Sequence, residues 1–345
     1  MRQLAGPEAK MRTAAAWRAG VATDPGLLRT VNEDRALVDD SLGLFLVVDG
    51  LGGHAAGEMA AETAVRAITG HMESAALEGR RDIEENIRRA ITEANNQIYL
   101  LAQQNEEWRG MACVLTLAVA DEDRVTVGHV GDSRLYLVWN GNLRKLTSDH
   151  SPVGEQEEHG ELTEQEAMQH PRRNEVFRDV GSQPHEPHDQ QFIQTRTFRF
   201  RQDAALLLCS DGLSDVLTSG EISGIVERYD GDPNSTARQL VEAANCAGGK
   251  DNISVVFVAG ADFLGSDSNT LVEVRPRHAA TRMREPKGRW RAIARNALLL
   301  IAGMILGILL WTALERFTGH ASTAAPAPNH VQKDGGAKGW RPAPK

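Results

Sequence analysis

Cysteine is scarce in this sequence. There are only three, Cys113, Cys209 and Cys246, an odd number at wide spacing. A disulfide framework needs more cysteines, so we expect reduced thiols in a cytosolic domain. Cys113 and Cys209 lie in apolar runs typical of buried strands. A cysteine nucleophile is disfavoured, because none of the three lies in the Gly-rich or basic loop that lowers a thiol pKa.

The sequence also lacks an N-terminal apolar run, and residues 1–274 lack an excess of basic residues. Residues 1–18 are interrupted by charges and have no apolar core of signal-peptide length, so we interpret residues 1–17 as a flexible tail. The net charge of −9 comprises +7 from residues 275–295 and +3 from residues 296–345, which leaves −19 for residues 1–274. This acidity argues against a nucleic-acid partner and suits a site that collects divalent cations.

The most informative stretch is an apolar run that ends in aspartate and glycine. Residues 44–48 are all apolar and predict a buried strand, which Asp49 and Gly50 follow directly. A lone carboxylate at the end of a buried strand is costly without a partner charge. Glycine lets a backbone carbonyl approach an ion closely. We therefore predict that Asp49 and the Gly50 carbonyl are oxygen ligands of a hard divalent cation.

The same arrangement recurs at three other places. Asp132 follows the apolar residues 125–130, Asp211 follows a second apolar run, and Asp251 comes just before a third. Four aspartates at strand ends suggest one carboxylate-rich site. Carboxylates without thiolates or clustered imidazoles favour Mg²⁺ or Mn²⁺ over Zn²⁺. Two such metals side by side activate water for attack on phosphorus.

Two further polar stretches each allow two interpretations. Arg29 precedes Asn32-Glu33-Asp34, where an arginine can hold a phosphate while the acids face metal-bound water, but a solvated turn gives the same pattern. Residues 148–190 contain five of the eleven histidines. Their spacing matches no known ligand pattern, so an exposed polar lobe competes with a metal cluster.

Hydrophobic periodicity predicts helices and strands for most of the remaining residues before 263. Helices are expected at residues 55–70, 82–104, 221–229 and 235–246. Strands are expected at residues 112–120, 124–130, 134–139, 192–200, 204–209 and 253–258, with a hairpin turn at Asn140-Gly141-Asn142. Consecutive strands predict antiparallel sheets with the helices outside them.

The C-terminal region predicts a membrane anchor. Residues 263–295 are a polar, then basic, linker, and residues 296–314 contain eighteen consecutive residues without a charge. Such a helix is about 27 Å long, close to the thickness of a bilayer core. A buried core helix is the alternative, but the uniform run and its basic flank favour a transmembrane helix in contact with membrane lipid. Residues 315–345 are rich in Ala, Pro and Gly and predicted to be disordered.

Two features of this segment predict its orientation and association. Six basic residues lie within about fifteen residues before the span and one lies just after it, which predicts that residues 1–295 are cytoplasmic. The protein would then be a single-pass protein of the bacterial inner membrane. Gly303 and Gly307 lie on one helix face, where backbones approach closely, so we expect weak membrane-mediated dimerisation.

Six motifs in order resemble one family. They are Thr-Asp-Pro-Gly with Arg29 and Asn-Glu-Asp, Val-Asp-Gly-Leu-Gly-Gly-His, Val-Gly-Asp-Ser-Arg, Leu-Thr-Ser-Asp-His-Ser, Ser-Asp-Gly-Leu-Ser-Asp and Lys-Asp-Asn-Ile-Ser. Together they closely resemble the bacterial branch of the metal-dependent type 2C protein phosphatases over residues 18–262. The resemblance implies an α+β fold, a four-layer α-β-β-α sandwich of two central antiparallel sheets flanked by helices. It also implies hydrolysis of phosphoserine and phosphothreonine with Mn²⁺ or Mg²⁺.

The resemblance also implies roles for the metal ligands. Asp49 is expected to bridge two metals and Gly50 to offer its carbonyl, while Asp211 and Asp251 complete the shell of the second metal. Glu33 is expected to act on the first metal largely through water. Asp34 then supports that shell, and Asp132 with Asp211 forms a third, weaker metal site.

Other positions follow from the same resemblance. Arg29 matches the arginine that grips the substrate phosphate, and residues 148–190 correspond to the flap beside the site. His54 matches either a proton donor or a plain loop histidine, because its glycine loop is longer than in the eukaryotic enzymes. The chain also departs from the family pattern with Leu51 for the usual Met, and with Ala112-Cys113-Val114 for the usual Gly-Thr-Thr.

These observations predict a membrane-anchored phosphoprotein phosphatase that opposes a Ser/Thr kinase. The first alternative is an inactive scaffold at the membrane that binds phosphoproteins or kinases, although such a protein would be expected to lose the carboxylates Asp49, Asp211 and Asp251. The second alternative is a Mg²⁺-dependent hydrolase of small phosphate esters.

Overall fold

The computed structural model describes residues 17–53 and 55–265. Their strands are β1 (Trp17–Asp24), β2 (Arg35–Asp39), β3 (Leu44–Leu51), β4 (Ala112–Asp121), β5 (Arg124–Val130), β6 (Arg134–Trp139), β7 (Asn142–Lys145), β8 (Gln194–Arg199), β9 (Ala205–Cys209) and β10 (Ile253–Gly260). Their helices are α1 (Ala55–Leu77), α2 (Ile83–Gln104), α3 (Pro152–Glu158), α4 (Glu164–Met168), α5 (Asp211–Ser214), α6 (Ser219–Val226) and α7 (Pro233–Cys246).

The strands form two five-stranded antiparallel sheets. The first has the order β1-β10-β9-β6-β7 and the second β2-β3-β4-β5-β8. Alternate residues of β3 show how the layers pack: Phe45 and Val47 point at the first sheet, while Leu46 points at α1 and α2. The strand is apolar at consecutive positions because both of its faces are buried. The second sheet therefore lies between the first sheet and a helical layer.

Helices α6 and α7 cover the outer face of the first sheet, where Leu240 and Ile222 pack with Phe257. The result is the four-layer α-β-β-α sandwich that the family resemblance implied. Each fully buried aliphatic or aromatic side chain contributes about 1.5–3 kcal/mol relative to exposure. The two helix-to-sheet cores and the sheet-to-sheet core therefore fix the strand ends that carry the aspartates.

The predicted elements are present, with shifted ends. The first helix continues past residue 70 to Leu77, because Met72 and Ala75 remain buried. The predicted helix 221–229 begins earlier, at Ser219, where Thr218 and Glu221 form a capping box. The hairpin turn is confirmed, with positive φ at Asn140 and Gly141. Periodicity did not predict β1 and β2, whose side chains are mostly half-buried or exposed.

Residues 148–190, the flap of the family resemblance, contain the short helices α3 and α4. Four of the five histidines there are partly or fully exposed. His150 is an exception to the expected exposed lobe, since it is 6% exposed and buried beside His129. Within residues 148–190, no group of three His, Cys, Asp or Glu side chains could hold a metal ion. A histidine metal cluster in the flap is therefore wrong.

Several predictions concern residues outside the described part of the chain. They are His54, the tail 1–16, and residues 266–345, which include the anchor, the basic linker and Gly303 with Gly307. Within residues 17–53 and 55–265, no helix is both long and apolar enough to cross a bilayer. The membrane anchor stays a prediction.

Candidate metal centre

The predicted site residues come together at one end of the sandwich. A cavity of about 230 Å³ is lined by seven of them: Arg29, Glu33, Asp49, Gly50, Asp132, Asp211 and Asp251. The aspartates come from both sheets, because β3 and β5 belong to the second sheet while β9 and β10 belong to the first. The cavity therefore lies where the two sheets end together.

Glycine geometry brings the backbone close to the cavity. The chain turns sharply after β3 at Gly52 and Gly53, whose φ angles of +118° and +76° suit glycine. A side chain on Gly50 would collide with the carbonyl of Gly57 and would lie 2.8 Å from the carbonyl of Glu33. Gly50 is therefore fixed as glycine by the close approach of α1 and the Glu33 loop.

Burial and mutual repulsion raise the pKa values of the clustered carboxyls. Burial, with the charges of Asp211 and Asp149, raises the pKa of Asp132 to about 8. Burial first, and then the charges of Asp34 and Asp211, raise the pKa of Asp49 well above its usual value. The pKa of Asp211 is raised by burial and by Asp251. The protein side chains alone therefore leave these carboxylates short of positive charge.

Asp34 lies beneath this cluster and is 1% exposed. Ser210 Oγ donates to its Oδ2 at 2.8 Å. Burial nevertheless raises the pKa of Asp34 to about 7, and no hydrogen-bond partner for its Oδ1 lies among the described residues. An orphaned carboxylate oxygen beside repelling aspartates fits a bound cation. Oxygen donors of this kind suit Mn²⁺ or Mg²⁺, which complete their coordination with water.

Arg29 lies at the mouth of the cavity. Its Nη2 donates to Asp251 Oδ2 at 2.7 Å, and its side chain is 47% exposed. The predicted phosphate-binding arginine is thus paired with a predicted metal ligand. This contact places the guanidinium beside the carboxylates and within reach of a substrate.

Asn252 is a site residue to which sequence reasoning assigned no role. Its Oδ1 accepts the Glu33 N–H at 2.8 Å, and its Nδ2 donates to the Pro25 and Val31 carbonyls at 3.0 and 2.9 Å. One buried amide therefore holds the loop that carries Arg29 and Glu33. The only signal for it was its place in the Lys-Asp-Asn motif.

Arg173 in the flap was also missed, because nothing distinguishes it from other charged loop residues. It forms an ion pair with Asp215 and lies 3.6 Å from Asp211 Oδ2. Its charge opposes the increase in the Asp211 pKa. The flap therefore supplies a cation to the edge of the carboxylate cluster.

A buried ion pair joins two of the motifs behind the cavity. Arg134, of the Gly-Asp-Ser-Arg motif, donates from Nε and Nη2 to Asp149 Oδ2 at 2.9 and 2.6 Å. Glu157 of α3 accepts from the same Nη2 at 2.9 Å. Burial favours a higher Asp149 pKa, but Arg134 and Lys145 outweigh it and hold that pKa below its usual value. The base of the flap is therefore anchored next to Asp132.

Known proteins share both the sequence and this fold. The chain matches the family described as Protein phosphatase 2C over residues 29–243. It is 37% identical over 240 residues to the serine/threonine phosphatase stp of Listeria welshimeri, which covers 68% of this chain and 93% of that protein. The serine/threonine protein phosphatase PstP of Mycobacterium tuberculosis is 32% identical over 253 residues, covering 71% of this chain and 45% of PstP.

Solved structures give the same result. The M. tuberculosis PstP/Ppp structure has a TM-score of 0.63 at 30% identity and covers 70% of this chain and 98% of that one. A structure of the PstP catalytic domain in complex with two manganese ions has a TM-score of 0.61 at 28% identity. It covers 70% of this chain and 97% of that one. A family match over more than half of the residues, together with these relatives, shows that the chain belongs to the protein phosphatase 2C family and is a serine/threonine protein phosphatase.

Proposed function

We propose that the cavity holds a binuclear Mn²⁺ or Mg²⁺ centre for hydrolysis of phosphoserine and phosphothreonine in proteins. The observation that carries the proposal is the convergence of the predicted residues on one cavity. Asp49 would serve both ions and Gly50 would offer its carbonyl, while Asp211 and Asp251 would complete the shell of the second ion. Glu33 and Asp34 would support the first ion, and Asp132 with Asp211 would form a weaker third site.

When bound, the ions would generate a nucleophile from water at neutral pH and polarise the phosphoryl oxygens. The chain's own residues then bind and orient the substrate. Arg29 presents a planar fork of donors at the cavity mouth, which matches two phosphate oxygens. To do so it exchanges its contact with Asp251 for the phosphate. The half-exposed side chain leaves room for this exchange.

The first prediction concerns this arginine. Arg29→Ala is expected to raise the KM for a phosphothreonine peptide by about tenfold or more, since hydrogen bonds to charged groups contribute roughly 1.5–3 kcal/mol. The Mn²⁺ concentration for half-maximal activity should change much less, because the carboxylates remain. Steady-state kinetics with and without Mn²⁺ measures both quantities, and activity should be lost in EDTA.

Two variants control this experiment. Arg29→Lys keeps the charge but loses the fork, so it should recover only part of the lost affinity. Arg201→Ala removes an exposed arginine that pairs with Asp203 far from the cavity, and should have no effect. Wild-type KM and kcat in Arg29→Ala would show that Arg29 is only a surface residue. Rapid hydrolysis of small esters without peptide hydrolysis would favour the small-ester alternative.

A phosphoprotein phosphatase acts on the products of a Ser/Thr kinase, so we propose such a kinase as its functional counterpart. We further propose that residues 296–314 anchor the protein in the bacterial inner membrane. The basic residues before the span support a cytoplasmic position for residues 1–295. They also favour contact with anionic lipid at about 1 kcal/mol per residue near the surface. Gly303 and Gly307 support weak dimerisation through the span.

The second prediction tests the orientation. A reporter that is active only outside the cytoplasm should be active when fused after Lys345. It should be inactive when fused near Gly265 in a truncated chain, because the span is then missing. The opposite pattern would overturn the orientation, and a full-length protein absent from membrane fractions would overturn the anchor.

A further inference from the structure

His150 connects the flap to the turn that carries Asp132. Its backbone N–H donates to the Gly131 carbonyl at 2.7 Å, and the Gly131 N–H donates to His150 Nδ1 at 3.0 Å. Gly131 has a φ of +107° and directly precedes Asp132. The two bonds therefore hold the backbone at the point from which Asp132 enters the cavity.

The same residue contacts the other end of the flap. Its carbonyl accepts the Phe177 N–H at 3.0 Å, and its Nε2 lies 2.9 Å from Arg178 Nη1. These residues directly follow Val176, which lines the cavity. His150 thus touches both the turn of Asp132 and the flap segment over the site.

The two ring nitrogens of His150 face two donors. A neutral imidazole has one N–H and one acceptor nitrogen, while the Gly131 amide and the Arg178 guanidinium can only donate. Burial, with the charges of His129 and Arg178, lowers the pKa of His150 to about 3, so the ring is neutral at physiological pH. The ring can therefore accept a hydrogen bond from only one of these two donors at a time.

The surroundings hold the ring in place. His129 lies behind it with 4.8 Å between ring centroids, and its own nitrogens are engaged by Thr116 Oγ1 at 2.8 Å and the Ser148 carbonyl at 3.0 Å. Phe177 lies on the flap side, with 6.2 Å between its ring centroid and that of His150. A change of tautomer can therefore exchange the two hydrogen bonds without displacing the ring.

We propose that His150 is a positioning residue whose single acceptor nitrogen holds either the Gly131-Asp132 turn or Arg178 of the flap. When Nε2 accepts a hydrogen bond from Arg178, Nδ1 carries the proton and can no longer accept the Gly131 N–H, so the turn is released. When Arg178 moves away, Nδ1 can accept again and the turn is held. The flap thereby adjusts the position of Asp132. The consequence for metal binding rests on the proposed role of Asp132 at the weaker metal site.

Three variants of the full chain test this proposal. His150→Phe keeps the ring volume but removes the acceptor, and His150→Asn keeps an acceptor near the place of Nδ1. Arg178→Met removes the competing donor and leaves Gly131 untouched. The two readouts are amide hydrogen exchange at Gly131 in the metal-free protein, and the Mn²⁺ concentration for half-maximal hydrolysis of p-nitrophenyl phosphate.

We expect exchange at Gly131 to be faster by about tenfold or more in His150→Phe, since loss of a local hydrogen bond lowers the opening free energy. His150→Asn should restore most of the protection. Arg178→Met should slow the exchange and lower the Mn²⁺ requirement, whereas His150→Phe should raise it. A residue that only stabilised the fold would not give opposite changes in the two variants.

Unchanged exchange in His150→Phe, or faster exchange in Arg178→Met, would overturn the proposal. If His150→Phe fails to fold, His150→Asn and Arg178→Met still decide it. Opposite exchange effects with an unaltered Mn²⁺ requirement would overturn the link to metal binding. If the wild-type protein shows no Mn²⁺-dependent activity, the proposed binuclear centre is rejected instead.

Discussion

Asp211→Asn is expected to reduce kcat for p-nitrophenyl phosphate by at least about a hundredfold, since changes to outer-shell partners of metal ligands alone typically cost 10–100-fold. The asparagine keeps the shape of the side chain but removes the charge that would bind Mn²⁺. The fold should remain intact. The wild-type pKa of Asp211 is raised by burial and by Asp251, so the neutral amide relieves repulsion in the metal-free protein.

The measurement is steady-state kinetics at saturating Mn²⁺, accompanied by circular dichroism to confirm folding. Asp123→Asn is the matched control, because Asp123 is exposed and pairs with the exposed Arg199. The control should retain wild-type activity. Activity of Asp211→Asn within threefold of wild type, or full wild-type activity in EDTA, would contradict the metal-dependent mechanism.

The strand ends could be predicted because local chemistry determines them. Residues 44–48 are continuously apolar, and such a run is stable only with both faces covered. The following Asp49 and Gly50 cannot continue it, so the strand end and the carboxylate are visible in one short stretch. The same reasoning found Asp132, Asp211 and Asp251. Their convergence on one cavity follows from the family topology and could not be derived from any single run.

The supporting contacts could not be predicted in this way, because they join distant parts of the chain. Asn252 holds a loop more than 200 residues earlier, through backbone groups that have no side-chain signature. Arg173 reaches Asp211 from the flap, where many charged residues look alike. Strands β1 and β2 are partly exposed, so their apolar pattern is weak. Pairing with β10 and β3 makes them strands.

His150 shows that the average composition of a segment does not predict the burial of its individual residues. Residues 148–190 are polar on average, which predicts an exposed lobe. The average conceals Asp149 and His150, which are buried because Arg134 and Lys145 balance the charge of Asp149 and the Gly131 turn bonds to His150. Burial of a polar side chain depends on its partners, and those partners lie on β6 and after β5.

The pKa shifts in the cavity predict how pH affects the metal-free protein. Asp34 and Asp132 have folded pKa values of about 7 and 8, both raised mainly by burial. The unfolded chain releases these protons near pH 4, whereas the folded protein keeps them up to pH 7 or 8. The free energy of unfolding in EDTA should therefore fall as pH rises from about 6.5 to 8, by about 2 kcal/mol. Below about pH 6.5 the buried His129 and His150 oppose this trend, because burial lowers their pKa values to about 4 and 3 while the unfolded chain binds those protons up to about pH 6.5. Asp149, whose pKa is also lowered, acts in the same direction at still lower pH.

Bound Mn²⁺ should reverse this dependence, because the cation neutralises the carboxylates that repel one another. At a Mn²⁺ concentration of about 100 times Kd, the stabilisation is about 2.7 kcal/mol, or roughly 5–11 °C in Tm for a domain of this size. At pH 5 the cation must displace protons from Asp34, Asp49 and Asp132, so the gain in Tm should be smaller there. The difference in Tm between Mn²⁺ and EDTA should therefore increase from pH 5 to pH 8.

Thermal unfolding followed by circular dichroism in matched buffers measures this difference. Asp123→Asn should behave as wild type, since its carboxylate lies outside the cavity. Asp211→Asn should lose most of the stabilisation by Mn²⁺, because a ligand charge is missing. A gain in Tm that is the same at pH 5 and pH 8 would show that the cation does not compete with protons at the buried aspartates. A Tm in EDTA that rises between about pH 6.5 and 8 would show that those aspartates are already ionised in the folded, metal-free protein.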